Sequence, residues 1–119
     1  MQAFKAIFFK KKDGSCPVED FLMSIDEKMR IKLAKEILLL EHYGNEVREP
    51  YSKYLRDGIY ELRAQQGNNI SRVLYFFYVG GKIILTHGFI KKTQKTPPRE
   101  IEIAKIYREM YLQGLEEEQ

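Results

Sequence analysis

The chain has little of several features on which whole classes of proteins depend. Its only cysteine, Cys16, rules out an intrachain disulfide and favours a reducing compartment. Its longest apolar runs, such as 73–79, are far too short to span a hydrocarbon layer of about 30 Å. In MQAFKAIFFKKK the basic residues follow the apolar ones, which is the reverse of a signal peptide. We therefore expect a cytoplasmic protein that does not enter the membrane.

The chain also lacks a strong excess of charge of either sign. The formal net charge is only +3, because the acidic run 116–118 offsets part of a basic cluster between residues 91 and 99. The local field of such a cluster matters more than the total charge. With 44% hydrophobic and 31% charged residues, the composition is that of an ordered globular protein. We expect 119 residues to form a single domain, 1–119.

The hydrophobic pattern predicts an α+β protein with the order β-α-α-β-β-β-α. Strand-forming residues occupy 3–10, and Pro17 opens a helix to about Ser24. A second helix runs from an Asp26 cap to Gly44, which ends it in a left-handed conformation. Three strands joined by tight turns fill 58–96, and a last helix begins at Pro97-Pro98 and frays from Leu112.

The turns fix a register for the three strands. A two-residue loop at Gly67-Asn68 sets Arg63 directly across from Arg72, and one at Gly80-Gly81 pairs Leu74 with His87. Because paired residues share a face, the two faces can be written out. One carries Glu61, Arg63, Arg72, His87, Phe89 and Lys91 at one end, with Leu74, Phe76, Ile83 and Leu85 toward the other; the opposite face carries Leu62, Ala64, Val73, Tyr75, Phe77, Val79, Ile84 and Ile90, the core that the helices cover.

Two arginines directly opposite each other repel, so an anion is expected between them. Glu61 is one source of that charge, in a surface ion-pair ladder. The other is a bound phosphate, because guanidinium groups bind phosphate oxygens bidentately. The residues leave both interpretations open.

Aromatic and basic side chains alternate in the segment 45–57, which we interpret as a loop. Tyr51, Lys53, Tyr54 and Arg56 suit single-stranded RNA, whose bases stack on tyrosine while cations meet the phosphates. The alternative is a tethered surface loop without this role.

Three segments resemble the RelE/HigB-like toxins of bacterial toxin–antitoxin modules, particularly the phage-related HigB branch. They are YELR at 60–63, RVLYF at 72–76 and HGFIKKTQKTP at 87–97, the last being the most specific. The resemblance covers most of the chain. It implies a small antiparallel sheet packed against two N-terminal helices, with a further helix at the C-terminus.

The resemblance also implies a ribosome-dependent endoribonuclease that cuts messenger RNA by attack of a ribose 2′-hydroxyl on the adjacent phosphate. Such a reaction requires no metal or cofactor if cations stabilise the transition state and another group moves the protons. Arg63 and Arg72 match the sheet arginines of the family. The remaining expected site residues are Lys53, Lys91 and Lys92 for phosphates or as base, His87 for proton transfer, and Tyr51, Tyr54, Arg56, Phe89 and Lys95 for RNA binding.

Two properties of His87 compete. Imidazole suits proton transfer near neutral pH, but a histidine beside Leu74 and Leu85 is equally explained as a packed, hydrogen-bonded side chain.

The expected partners are the ribosome, mRNA and a helix-turn-helix antitoxin of the HigA type, with which a toxin of this kind forms a heterotetramer. Two alternatives retain the fold. A ParE-like toxin inhibits DNA gyrase by binding it without catalysis, and an inactive module only binds its antitoxin and represses transcription. The paired arginines favour RNA, because a protein-binding toxin has less need of a convergent cationic cleft.

Overall fold

The computed structural model describes residues 3–91 and 95–118. In chain order the elements are β1 (Lys5–Phe8), α1 (Pro17–Ser24), α2 (Glu27–Tyr43), β2 (Ser52–Arg56), β3 (Ile59–Gln66), β4 (Asn69–Tyr78), β5 (Lys82–Ile90) and α3 (Pro98–Glu117). The strands form one mixed sheet in the order β1-β5-β4-β3-β2, in which only β1 and β5 run parallel. The α+β class is confirmed.

The helix boundaries follow the predicted capping residues, with one exception. The Asp26 carboxylate accepts the Met29 N–H at 2.8 Å, and Gly44, at φ 54°, donates its N–H to the Leu40 carbonyl. α3 continues to Glu117 instead of fraying from Leu112, because Tyr111 holds this half of the helix on the sheet through the rings of Phe76 and Tyr78. No helix in the described ranges is both long and apolar enough to cross a membrane.

A strand, β2, occupies part of the segment that was predicted as a loop. It pairs antiparallel with β3, Ser52 with Leu62 and Lys53 with Glu61. The two strands are joined by Asp57-Gly58, both at positive φ (54° and 81°), as a two-residue hairpin loop requires. The Ser52 hydroxyl hydrogen-bonds the Tyr75 hydroxyl beneath it, so β2 is anchored to the core.

The Gly67-Asn68 turn and its register are confirmed, because Gln66 pairs with Asn69 and Arg63 with Arg72. The second turn was predicted one residue too short. Tyr78 pairs with Lys82, which leaves a three-residue loop at 79–81, and an irregularity between Leu74 and Tyr75 takes up the difference. Leu74 therefore still pairs with His87, as predicted.

The irregularity changes which face several residues occupy, because a one-residue shift turns a strand over. Ile83 and Leu85 pack under α1 and α2, and Ile84 packs under α3, the reverse of the prediction. Val79 and Ile90, predicted as core, are 76% and 45% exposed.

Both faces of the sheet are thus covered by helices. The α1/α2 face buries Val18, Met29, Leu33, Leu40, Leu62, Val73, Tyr75, Ile83 and Leu85. The α3 face buries Phe9, Ile59, Leu74, Phe76, Ile84, Ile101 and Ala104. The predicted polar residues lie at one end of this α3 face.

Candidate functional site

The strand register aligns the predicted site residues in two adjacent rows across the α3 face. The first row runs Lys53, Glu61, Leu74, His87 and the second runs Arg63, Arg72, Phe89. We call Glu61, Arg63, Arg72 and His87 the polar end of the α3 face. Three adjacent strands, β3, β4 and β5, therefore each contribute at least one side chain to this end.

Glu61 lies at the centre of the polar end and is 1% exposed. Its Oε1 is 3.4 Å from Nε of Arg63 and 3.9 Å from Nε of Arg72, and its Oε2 accepts a hydrogen bond from the Thr96 hydroxyl. The anion expected between the arginines is thus Glu61. The ion-pair interpretation describes this structure, but the cluster is buried and not the surface ladder that was predicted.

The two arginines differ in access to solvent. The Arg63 side chain is 15% exposed, whereas that of Arg72 is 0% exposed. Burial lowers the pKa of Arg72 from its ordinary value, Glu61 opposes this shift and Arg63 adds to it. The Arg72 guanidinium is therefore closed to solvent in this structure.

His87 is buried with both ring nitrogens engaged. Its Nε2 is 3.0 Å from Oε1 of Glu100 on α3, and its Nδ1 is 3.1 Å from the Thr86 hydroxyl. Burial lowers the pKa of His87, although the hydrogen bond and the charge of Glu100 raise it. This geometry agrees with the packed, hydrogen-bonded alternative, and a role in proton transfer stays a prediction.

A cleft of about 280 Å³ opens beside the polar end, between β2 and the start of α3. We call it the cationic cleft; its lining residues are Lys53, Tyr54, Leu55, Arg56, Glu61, Lys95, Thr96, Pro98 and Ile101. Lys53 and Lys95 are exposed at its rim. Cations from two separate parts of the chain therefore surround one carboxylate.

Two of the lining residues are partly committed to other contacts. The Arg56 guanidinium is 2.8 Å from a Glu102 carboxylate oxygen, so its charge is partly compensated. Tyr54 is 53% exposed, but its hydroxyl accepts the Gly58 N–H and its ring meets Tyr60 edge-on at 5.0 Å.

The other predicted site residues lie apart from this cleft. Tyr51 lines a different cleft with Arg63, and Phe89 stacks on His87 with ring centroids 5.9 Å apart. Lys91 is exposed just beyond β5, where its N–H donates to the Ile70 carbonyl. Lys92 lies outside the described residues.

Sequence reasoning missed Thr96 as a lining residue and gave Glu61 only the part of an ion-pair partner. The register count already placed Glu61 beside Arg63 on the same face, so its position was available from the sequence. Its burial was not, since that depends on how the segment before α3 lies over the sheet. No three His, Cys, Asp or Glu side chains within 3–91 and 95–118 converge as metal ligands do.

Comparison with known proteins assigns the family. A family model described as phage-derived protein Gp49-like (DUF891) matches residues 20–109, which include α2, all of β2 to β5 and more than half of α3. No curated protein matches the chain significantly. The matched segment covers most of the sequence and the whole polar end, so the chain belongs to the phage-derived Gp49-like family, a toxin-like family of toxin–antitoxin modules.

Proposed function

We propose that this protein is the toxin of a toxin–antitoxin module, and that it cleaves messenger RNA on the ribosome at the cationic cleft. A helix-turn-helix antitoxin of the HigA type neutralises it. Family membership supports the toxin assignment and implies an antitoxin partner. The RNA substrate is argued from the cleft itself.

The observation that carries the proposal is the convergence of Lys53 and Lys95 on one cleft, with Arg63 and Arg72 behind its carboxylate floor. Two arginines share the single carboxylate of Glu61, so the group carries a net positive charge. A phosphodiester at the rim meets two ammonium groups directly, and the field of the arginines adds to theirs. The half-exposed Tyr54 offers a ring at the same place.

In the proposed reaction a ribose 2′-hydroxyl attacks the adjacent phosphorus, the bond to the 5′-oxygen breaks, and a 2′,3′-cyclic phosphate and a 5′-hydroxyl are formed. Lys53, Lys95 and Arg63 stabilise the charge that develops on the phosphorane oxygens. Glu61 is the one carboxylate among the described residues that line the cleft. Because Glu61 is 1% exposed, we assign the hydroxyl proton to it by way of one water in the cleft; a carboxylate accepts a proton and an ammonium does not. A lysine at the rim donates a proton to the leaving 5′-oxygen.

One observation favours the ParE-like alternative, in which the protein binds gyrase without catalysis. Arg72 is fully buried, and Arg56 and Arg63 are paired with carboxylates of the same chain. Part of the cationic charge is therefore compensated before any ligand arrives. Cleavage and gyrase inhibition leave different products, so one experiment separates them.

The test is inducible expression of the wild-type chain and of Lys53→Ala/Lys95→Ala, followed by mapping of RNA 5′ ends. The wild type is expected to give cuts within translated codons and a rapid loss of protein synthesis. The double variant removes both rim ammonium groups, and a loss of about 100-fold in cutting is expected. Lys28→Ala is the matched control, because Lys28 is an exposed lysine on α2 that lines none of the clefts named here.

DNA damage without RNA cuts would establish the ParE-like function instead. Undiminished cutting by Lys53→Ala/Lys95→Ala, at equal protein levels, would show that the cationic cleft is not the site.

A further inference from the structure

A second cleft lies between α2 and the ends of β3 and β4 that extend past β2. We call it the lateral cleft; its volume is about 530 Å³ and its lining residues are Lys32, Lys35, Glu36, Pro50, Tyr51, Arg63, Gln65 and Ile70. Its size is that of a small-ligand site. Arg63 belongs both to this cleft and, through Glu61, to the polar end.

Glu36 occupies a position in α2 where an apolar side chain is expected. It lies three residues after Leu33 and four before Leu40, both fully buried, so it falls on the core-facing stripe of the helix. Its Oε1 is buried and makes no hydrogen bond within the described part of the chain. A buried polar atom left without a partner is rare and calls for a ligand or another explanation.

The charges around Glu36 are positive. Lys32 and Lys35 lie beside it on α2, and Arg63 of β3, which is also paired with Glu61, lines the same cleft. Tyr51, from the segment before β2, completes the groups that face it. Burial raises the pKa of Glu36 to about 8 despite the opposing charge of Lys32, so near neutral pH the group is a neutral hydrogen-bond donor. The lateral cleft then has cationic walls without an ionised acid among its lining residues.

The remaining walls suit a nucleobase. Tyr51 is 48% exposed and offers a ring for stacking, with Pro50 and the buried Ile70 as apolar neighbours. The Gln65 side chain is exposed beside them, and its amide group both donates and accepts hydrogen bonds. The Lys32 ammonium donates to the Gln65 carbonyl at 2.6 Å, which joins α2 to β3 at this cleft.

The lateral cleft also continues the path of the cationic cleft. Tyr51 and Lys53 are two residues apart, about 7 Å along an extended chain, and line one cleft each. A strand of RNA with a phosphate at Lys53 therefore reaches Tyr51 with a neighbouring nucleotide. Charge alone fits an acidic peptide equally well, but the tyrosine ring, the uncharged donor and this continuity favour RNA.

We propose that the lateral cleft is a nucleotide subsite that binds a base of single-stranded RNA next to the scissile phosphate, with Tyr51 stacking on the base, Glu36 donating a hydrogen bond to its edge, and Lys35 meeting its phosphate. This proposal rests on the proposed function, since it takes the cationic cleft as the site of cleavage. It assigns Glu36, Lys35 and Gln65 to substrate recognition.

The test is the affinity of the full-length chain for a short, fluorescent 2′-O-methyl oligoribonucleotide, which cannot be cut by 2′-hydroxyl attack. Tyr51→Ala and Lys35→Ala are each expected to weaken binding about tenfold, the usual cost of one lost stacking or charged contact. Raising the pH from about 6.5 to about 9 is expected to weaken wild-type binding more than that of Glu36→Gln, because only the wild type acquires a carboxylate there. Lys28→Ala is again the control for net charge.

Two results would overturn the subsite. One is binding that depends on Lys53 and Lys95 but not on Tyr51, Lys35 or the charge of Glu36. The other is unchanged RNA affinity together with lost antitoxin binding in the same variants, which would make the lateral cleft a protein-docking surface. Failure of the proposed function is distinct from both, because it would appear as binding of the 2′-O-methyl RNA without cleavage of the matching 2′-hydroxyl RNA during translation.

Discussion

The two faces of the sheet are built differently. Beneath α1 and α2 the buried residues are mostly apolar, from Ile83 and Leu85 through Tyr75 and Val73 to Leu62, and Ser71 is an uncharged polar residue among them. Beneath α3 the face is divided. Leu74, Phe76 and Ile84 pack under the helix, but the adjacent polar end holds Glu61, Arg72 and His87 out of water.

The difference indicates what each face contributes. Burying apolar surface stabilises the fold by roughly 25 cal/mol per Å², whereas a buried ion pair is often no more stabilising than apolar residues of the same volume. Because the α1/α2 face already supplies a complete core, the charges of the polar end are not explained by stability. Each of the following substitutions tests this division.

The largest effect is expected at the centre of the polar end. Glu61→Ala removes the carboxylate that lies against both arginines, and we expect a loss of about 3–5 kcal/mol in the free energy of unfolding. In contrast, Glu61→Leu/Arg72→Met replaces two of the three charges by apolar groups and leaves only the partly exposed Arg63 without this carboxylate, so a smaller loss of about 1–2 kcal/mol is expected. Urea denaturation measures both. Equal losses of unfolding free energy in the single and the double variant would contradict the view that the charges of the polar end do not serve stability.

The apolar face is tested at Gly88, which is paired with Val73. A Cβ at this position would meet the Phe21 ring of α1 at 2.3 Å, so Gly88→Ala is expected to cost about 1–3 kcal/mol through overpacking. The control is Gly114→Ala in α3, where a Cβ meets nothing within 4 Å and the better helix propensity of alanine is expected to add about 0.5–1 kcal/mol. Thermal or urea unfolding shows whether each variant is less or more stable than the wild type. A neutral Gly88→Ala would show that α1 does not pack closely on β5.

Glu36 is the exception on the helices that cover the apolar face. Its pKa is raised from 4.5 to about 8 in the folded chain, so its contribution to stability is complete below pH 4.5 and is lost as the pH rises through 8. Glu36→Gln is therefore expected to be more stable than the wild type by about 1–2 kcal/mol near pH 8.5, a range that allows for solvent screening of a partly exposed group. The advantage should shrink toward pH 5. A constant difference across this range would rule out the protonated carboxyl.

The smallest effect is expected at His87, where burial and Glu100 act in opposite directions. Burial lowers the pKa of His87 below its ordinary value of 6.5, so the neutral ring contributes stability above that pH, and this contribution is lost as the pH falls toward the folded-state pKa. Between about pH 7 and pH 5 the wild type is expected to lose slightly more stability than His87→Gln. Identical pH profiles would show that His87 does not titrate in this range.

Much of the fold could be read from local signals. Asp26 and Gly44 define the ends of α2, and the Gly67-Asn68 turn is sufficient to set Arg63 opposite Arg72. β2 was missed because it is a short edge strand with mostly exposed side chains, which lacks the apolar alternation of a buried strand. Asp57-Gly58, a strong hairpin signal, was present in the sequence and identifies it.

The faces were harder to predict than the strands. The count from the second turn was wrong by one residue, and nothing local in the sequence marks the irregularity that corrects it before His87. Ile83, Ile84 and Leu85 are all apolar, so their types do not report which face they occupy. Only tertiary packing under two different helices decides it.

The roles expected of the candidate site residues stay predictions. Lys53, Tyr54, Arg56 and Lys95 line one cleft, whereas Tyr51 and Phe89 lie apart from it. The burial of Arg72 and the central place of Glu61 depend on the cover provided by Thr96 and α3, which a strand register does not contain. The burial of the Glu36 carboxyl without a hydrogen-bond partner depends on how α2 packs on the sheet, and the sequence of α2 does not show this.

The most direct test of the central claim is RNA cleavage by Glu61→Leu/Arg72→Met, which is expected to lose less stability than Glu61→Ala and to stay folded. In translation extracts supplied with equal amounts of folded protein, the account predicts that primer extension detects cuts in translated mRNA with the wild type, and that the double variant loses them by about 100-fold or more. Cutting at the wild-type rate by this variant would contradict the claim that the buried charges of the polar end serve RNA chemistry.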